Sequence, residues 1–163
     1  MPVIAVLLAV WLLSLRVDMS CLMVSDGSPW WTLFTYIVVH TGIVHLGINS
    51  FVFWTYYRIM SVRDMAVAAP LSLVVSAFAA YVSRTDIPTC GFSSVVASVM
   101  GYSVSGLPAY RMVRPLAVVS VSFVFTYLFG KGINTQIHVF SFFPSLAAGM
   151  AIRRWLPCLL RKS

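Results

Sequence analysis

Six apolar runs, separated by short joints that hold most of the charge, constrain this chain more than any other feature. They fall at roughly 2–15, 31–57, 65–83, 91–110, 115–130 and 136–152. A bilayer-spanning helix needs about 20 apolar residues, with a range near 17–25. The third, fourth and sixth runs fit, and the second is long enough to cross and protrude. The first is short enough to be weighed as a signal-peptide core. No Lys or Arg precedes it and no small-residue cleavage site lies near Ser20, so a retained first helix is favoured. Of the 163 residues, 60% are hydrophobic and 9% charged, against about 25% charged in a soluble domain. A water-soluble fold of this size could not hide that much apolar surface. The expectation is all-α: a polytopic six-helix bundle in one domain over 1–163. Its spans lie at approximately 2–17, 31–57, 65–83, 91–110, 115–130 and 136–153.

Turn chemistry marks the joints. Asp26-Gly27-Ser28-Pro29 precedes the second run, Asp86-Ile87-Pro88 the fourth and Arg114-Pro115 the fifth, while Gly130-Lys131-Gly132 follows the fifth. The net charge of +7 does not gather into one basic stripe, which argues against nucleic acid as a partner. Arg58, Arg63, Arg111, Arg114, Arg153, Arg154, Arg161 and Lys162 lie at joints two and four and the C-terminus. Joints one, three and five hold Arg16, Arg84 and Lys131 beside Asp18, Asp26 and Asp86. Cytoplasmic loops carry the excess of Lys and Arg, so both termini are expected in the cytoplasm. Spans two, four and six then start at the outer face.

Ionisable and amide side chains inside hydrocarbon are costly, and each is a functional candidate by default. His40, His45 and Asn49 fall in the second run and His138 in the sixth. At about 100° per residue, His45 and Asn49 share a helix face, while His40 and His45 diverge by roughly 140°. With Ser93 at the head of the fourth run, these side chains all start near the outer end of their spans. Blander roles compete: a lone intramembrane His or Asn often only bonds a neighbouring helix. Ser93 would also serve as an N-cap. Three histidines would suit zinc, but the spans contain no carboxylate and H-E-x-x-H is absent, so no metal is expected. An aspartyl mechanism and a Ser-His-Asp triad are excluded on the same ground, leaving a serine–histidine dyad for hydrolysis. Cys21, Cys90 and Cys158 make no C-x-x-C motif. Cys21 and Cys90 share the outer side and would be able to pair, although free thiols are the favoured reading.

The stretch from Trp31 to Asn49, with His40-x4-His45-x3-Asn49 inside it, resembles the second-helix signature of the rhomboid intramembrane serine proteases. Gly91-Phe92-Ser93-Ser94 is similar to that family's G-x-S-G nucleophile motif. His138, Ser141 and Ser145 follow its pattern of a histidine and then small residues at four-residue intervals. The resemblance covers nearly the whole chain. It implies Ser93 as nucleophile, His138 as general base, and Asn49 and His45 as oxyanion donors beside the Ser93 amide. His40 and Gly91 are implied in supporting roles, and the Trp30-Trp31 region in the first outer loop. It also implies no cofactor, an active site opening to the outer side, and single-pass transmembrane proteins as substrates within the lipid bilayer. The chain departs from the pattern at Ser94, at Ser141 and Ser145, and at Ala97, where many members carry an aromatic against the histidine. Trp31 also follows Trp30 where the family has Arg. Two other readings remain: a catalytically inactive rhomboid-like protein that binds membrane clients, and a small transporter with histidines as a proton relay. The second lacks the carboxylates and half-chain repeat that transporters often have.

Overall fold

Helix formation follows the apolar runs, with boundaries moved by glycine, proline and β-branched residues. The computed structural model describes residues 2–130 and 133–155, so Lys131, Gly132, Cys158, Arg161 and Lys162 lie outside the described residues. In chain order the helices are α1 (Pro2–Ser14), α2 (Thr32–Thr35), α3 (Ile43–Ile59), α4 (Val62–Val82), α5 (Ser93–Val104), α6 (Ala109–Phe129) and α7 (Thr135–Trp155). Among the described residues there is no strand, only an isolated bridge pairing Val24 with Thr89. The fold is an all-α bundle, as expected. Val62–Val82, Ala109–Leu128 and Thr135–Trp155 are long and apolar enough to cross a membrane. The helices on the other three runs are shorter: 13 residues in α1, 17 in α3 and 12 in α5.

Three boundaries differ from the sequence expectation. The second run is not one helix: α2 closes after a turn, and Gly42 is extended (φ −165°, ψ 155°) at the N-cap of α3. The β-branched Ile37-Val38-Val39 and the Thr41-Gly42 pair are poor helix formers, and His40 therefore lies outside α3. α5 ends before Gly106-Leu107-Pro108, and Pro108 caps α6. Arg111 and Arg114 thus sit within the opening turns of α6 rather than in a joint, and Pro115 lies inside the helix. Pro70 and Pro144 lie inside α4 and α7 in the same way. Helices in lipid tolerate proline where neighbouring groups satisfy the freed carbonyls.

The centre of the bundle is α5. Nine of its 12 residues are buried, from Ser94 to Val104, as befits a helix apolar on every side. It packs most extensively against α7, then α4 and α3. Leu7, Leu46, Phe53, Phe92 and Val99 fill the space between α1, α3 and α5. On the other side Ala97, Val104, Val119 and Phe142 join α5, α6 and α7. Lipid tails are as apolar as leucine, so close packing by small residues and polar links must hold membrane helices together. Both occur between α5 and α7. Ser98 and Ser145 hydrogen-bond through their hydroxyls. A Cβ on Gly101 would collide with the Phe142 carbonyl, and one on Gly149 with the Ser105 side chain.

The far end of α7 is tied down by charge. The Arg153 guanidinium meets Asp64 at 2.8 Å, donates to Ser105 Oγ at 3.2 Å and lies over the Tyr102 ring. Asp64 is itself set by the N-cap of α4, where Ser61 Oγ accepts from the Asp64 amide at 3.0 Å. This joins the start of α4 to the ends of α5 and α7. Gly101→Leu is expected to destabilise the bundle by about 1–3 kcal/mol through overpacking, read as a lower unfolding midpoint in detergent. Gly47→Leu is the control: a Cβ there meets nothing within 4 Å, and the midpoint should hold.

Candidate active site

At the head of α5, Phe92 takes the N-cap position and Ser93 is the first helical residue. The capping role weighed for Ser93 is therefore not the one it fills. Its Oγ lies 2.8 Å from Nε2 of His138, in the first turn of α7. That is an ordinary, well-formed hydrogen-bond distance. Ser93 and His138 line a cavity of about 520 Å³ together with His45, Cys90, Asn134 and Ile137. Val44 and Ile48 of α3 also border it. Both are well exposed on the outer surface of the bundle.

Gly91 sits beneath the His45 ring. Its φ is +123°, a conformation that only glycine adopts readily, and a Cβ there would lie 2.6 Å from His45 Cε1. His40 is buried at 2% exposure and reaches the same segment: its Nε2 accepts the Phe92 N–H at 3.2 Å. Nε2 is then unprotonated, and Nδ1 carries the proton toward the Val38 carbonyl, 3.3 Å away. The two rings of His40 and His45 lie 5.4 Å apart. The divergence expected from a helical wheel does not occur, because His40 precedes α3.

Asn49 lies one turn beyond His45 on α3, is 6% exposed, and its Nδ2 has no hydrogen-bond partner. It is not among the residues lining the cavity. Leaving a buried amide donor unpaired costs about 1–3 kcal/mol. The departures from the family pattern fall mostly at packed positions, and the buried Ser141 hydroxyl is left without a partner. Ser94 is fully buried and bonds the Tyr36 hydroxyl at 2.6 Å. Ser141 and Ser145 are fully buried at the α5–α7 contact, and Ala97 packs beside Phe142. Trp30 and Trp31 are exposed and meet edge to face. Cys21 and Cys90 are free thiols. Among the described residues no cluster of three His, Cys, Asp or Glu is placed to hold a metal.

Two contributors escaped the sequence reading. Asn134 caps α7, accepting the Ile137 N–H on Oδ1 at 3.4 Å. Its amide nitrogen clasps the Ser83 carbonyl at 2.8 Å and Thr89 Oγ1 at 3.3 Å. One side chain thus links the end of α4, the loop before α5 and the helix that carries His138. An Asn directly before an apolar periodic segment is a readable helix start, so this cap was legible in principle. Gly149 extends the small-residue stripe of Ser141 and Ser145 by one more turn, also at a legible spacing.

The rhomboid domain family model matches residues 27–155. The chain belongs to the rhomboid family. The match takes in every site residue above, from the first loop through α7, and supports an integral membrane protein. Among curated proteins, none matches the chain significantly. Within this rhomboid fold, Gly91→Ala is expected to cost about 1–3 kcal/mol through the strained φ and to displace His45. Gly42→Ala, where a Cβ meets nothing within 4 Å, should leave the unfolding midpoint in place.

Proposed function

We propose that this protein is an intramembrane serine endopeptidase that uses Ser93 and His138 as a catalytic dyad. The observation that carries this reading is the 2.8 Å contact between Ser93 Oγ and His138 Nε2 inside a cavity. A serine hydroxyl is a weak nucleophile and needs an adjacent base. With the proton on Nδ1, His138 Nε2 accepts the Ser93 proton as Oγ attacks the scissile carbonyl carbon. The same proton then passes to the leaving amine nitrogen as the C–N bond breaks. Water, deprotonated by His138, attacks the acyl-enzyme, releases the new carboxyl end and restores Ser93.

The negative charge that develops on the carbonyl oxygen needs donors already in place. The first amides of α5 have no partner within the helix, and its dipole is positive at that end. The His45 ring lies over Gly91 beside that end, and the unpaired Asn49 Nδ2 follows one turn further along α3. No carboxylate orients His138 in this scheme. The Asn134 cap and the packing of α7 on α5 hold the ring instead.

Substrates in this reading are single-pass transmembrane proteins. Twelve residues of α5 rise about 18 Å at 1.5 Å each, against a hydrocarbon core of about 30 Å. With its Ser105 end near the basic residues at the membrane surface, the Ser93 end lies below the opposite surface. The positive-inside rule makes the end with Arg58, Arg63, Arg111, Arg114, Arg153 and Arg154 cytoplasmic, and the dyad faces the outer side. Both termini are then cytoplasmic. A substrate helix keeps its backbone bonded in lipid, so a segment weakened by Gly, Ser or Pro is the one that can unwind into the cavity. The lipid-facing Val44 and Ile48 at its border leave a lateral way in.

Cleavage of a fluorogenic transmembrane substrate in proteoliposomes tests the proposal. The wild-type protein is expected to cut near the outer boundary of the substrate helix. Ser93→Ala and His138→Ala should abolish cleavage, and Asn49→Ala should lower kcat by roughly 10²–10³. A wild-type rate in Ser93→Ala rules the mechanism out. Client binding without any cleavage by the wild-type protein would favour an inactive relative instead.

A further inference from the structure

The Tyr36 side chain is almost fully buried, at 1% exposure, and is not needed for any step above. The residue nevertheless touches the nucleophile segment twice, once through its backbone and once through its phenol. Its carbonyl accepts the Gly91 N–H at 2.9 Å, two residues before Ser93. Its hydroxyl lies 2.6 Å from Ser94 Oγ, one residue after Ser93. The same hydroxyl donates to the Ser76 carbonyl on α4 at 3.1 Å. A phenol has one proton to give. That proton goes to Ser76, whose carbonyl only accepts, so Ser94 must donate to the Tyr36 oxygen.

The grip is anchored at its own base. Tyr36 closes α2 through its N–H to the Thr32 carbonyl at 3.1 Å. Thr32 is fixed in turn to the Pro29 carbonyl and to Ser28. The Tyr36 ring packs in one cluster with Val24, Ala79, Ala80 and Ile137, and Ile137 immediately precedes His138. One residue therefore holds the nucleophile segment from both sides, upstream by its backbone carbonyl at Gly91 and downstream by its phenol at Ser94, while its ring packs against the neighbour of the base.

We propose that Tyr36 is a positioning residue for the reaction, bracketing Gly91–Ser94 so that the Ser93 hydroxyl and amide keep their angle to His138 and the oxyanion. The inference rests on the protease reading. It also gives the departure at Ser94 a use: where the family pattern has glycine, this chain has a hydroxyl that completes the bracket. Reaction rates respond steeply to such geometry, and a misplacement of about 1 Å can cost 10²-fold. A ring that merely filled space would be replaced by phenylalanine without effect on the chemical step.

The test compares the wild-type protein with Tyr36→Phe, Ser94→Ala and the double variant, each in proteoliposomes with a transmembrane substrate. A fluorophosphonate titrates active sites, so kcat is expressed per reactive Ser93. Tyr36→Phe is expected to lower kcat about tenfold with KM within about twofold, a loss near 1.4 kcal/mol. Ser94→Ala should fall similarly, and the double variant should be no worse than the weaker single variant, because both remove one interaction. A wild-type kcat per titrated site in Tyr36→Phe overturns the inference, even if less protein folds. So does a double variant whose loss is the product of the two single losses. A wild-type protein that neither labels nor cleaves overturns the protease reading, and this inference with it.

Discussion

The approach of α5 and α7 to backbone contact governs where Ser93 and His138 meet. In lipid this approach gains little from the hydrophobic effect, so it must come from dispersion at short range and from polar links. Ser98 with Ser145, Gly101 beneath the Phe142 carbonyl, and Gly149 against Ser105 supply both. Ser93 meets His138 at one end of the pair, and Ser105 meets Gly149 and Arg153 at the other, so α5 and α7 run parallel. At the end opposite Ser93, Arg153 ties α7 to α5 through Ser105 and to α4 through Asp64.

Everything else at the site adjusts that one contact. Asn134 fixes the start of α7, His40 holds the Phe92 amide, and Gly91 leaves room for the His45 ring. Each is a short polar link or a missing Cβ rather than a charged pair. That choice suits the solvent: an unpaired ion is expensive in hydrocarbon, whereas neutral imidazole, hydroxyl and amide groups are affordable when most are satisfied. Asn49 Nδ2 is among the buried groups that have no partner within the protein, as are the Tyr102, Thr135 and Ser141 hydroxyls.

Much of this was legible in the sequence, because both the apolar runs and the polar intruders are local signals. The all-α membrane fold, the rhomboid signature and the candidate residues needed only spacing and residue type. Helix edges were harder. His40 was placed on a helix because its run is continuously apolar, yet the β-branched residues before it and Gly42 after it break the helix there. Arg114-Pro115 looked like a stop because proline usually ends helices in water, but α6 continues through it. Tyr36 gave no signal at all. Its partners Ser76 and Ser94 lie 40 and 58 residues away, and no periodicity announces a contact at that range. Asn134 and Gly149 were readable by ordinary rules, and they were obscured only by the more conspicuous histidines.

The central claim is that His138 makes Ser93 nucleophilic across 2.8 Å. Intact-protein and peptide mass spectrometry after fluorophosphonate treatment of the purified protein reads that directly. The account predicts a single adduct on Ser93 in the wild-type protein and none in a folded His138→Ala variant. An adduct on Ser93 forming at the same rate without His138, or no adduct on the folded wild-type protein, would contradict it.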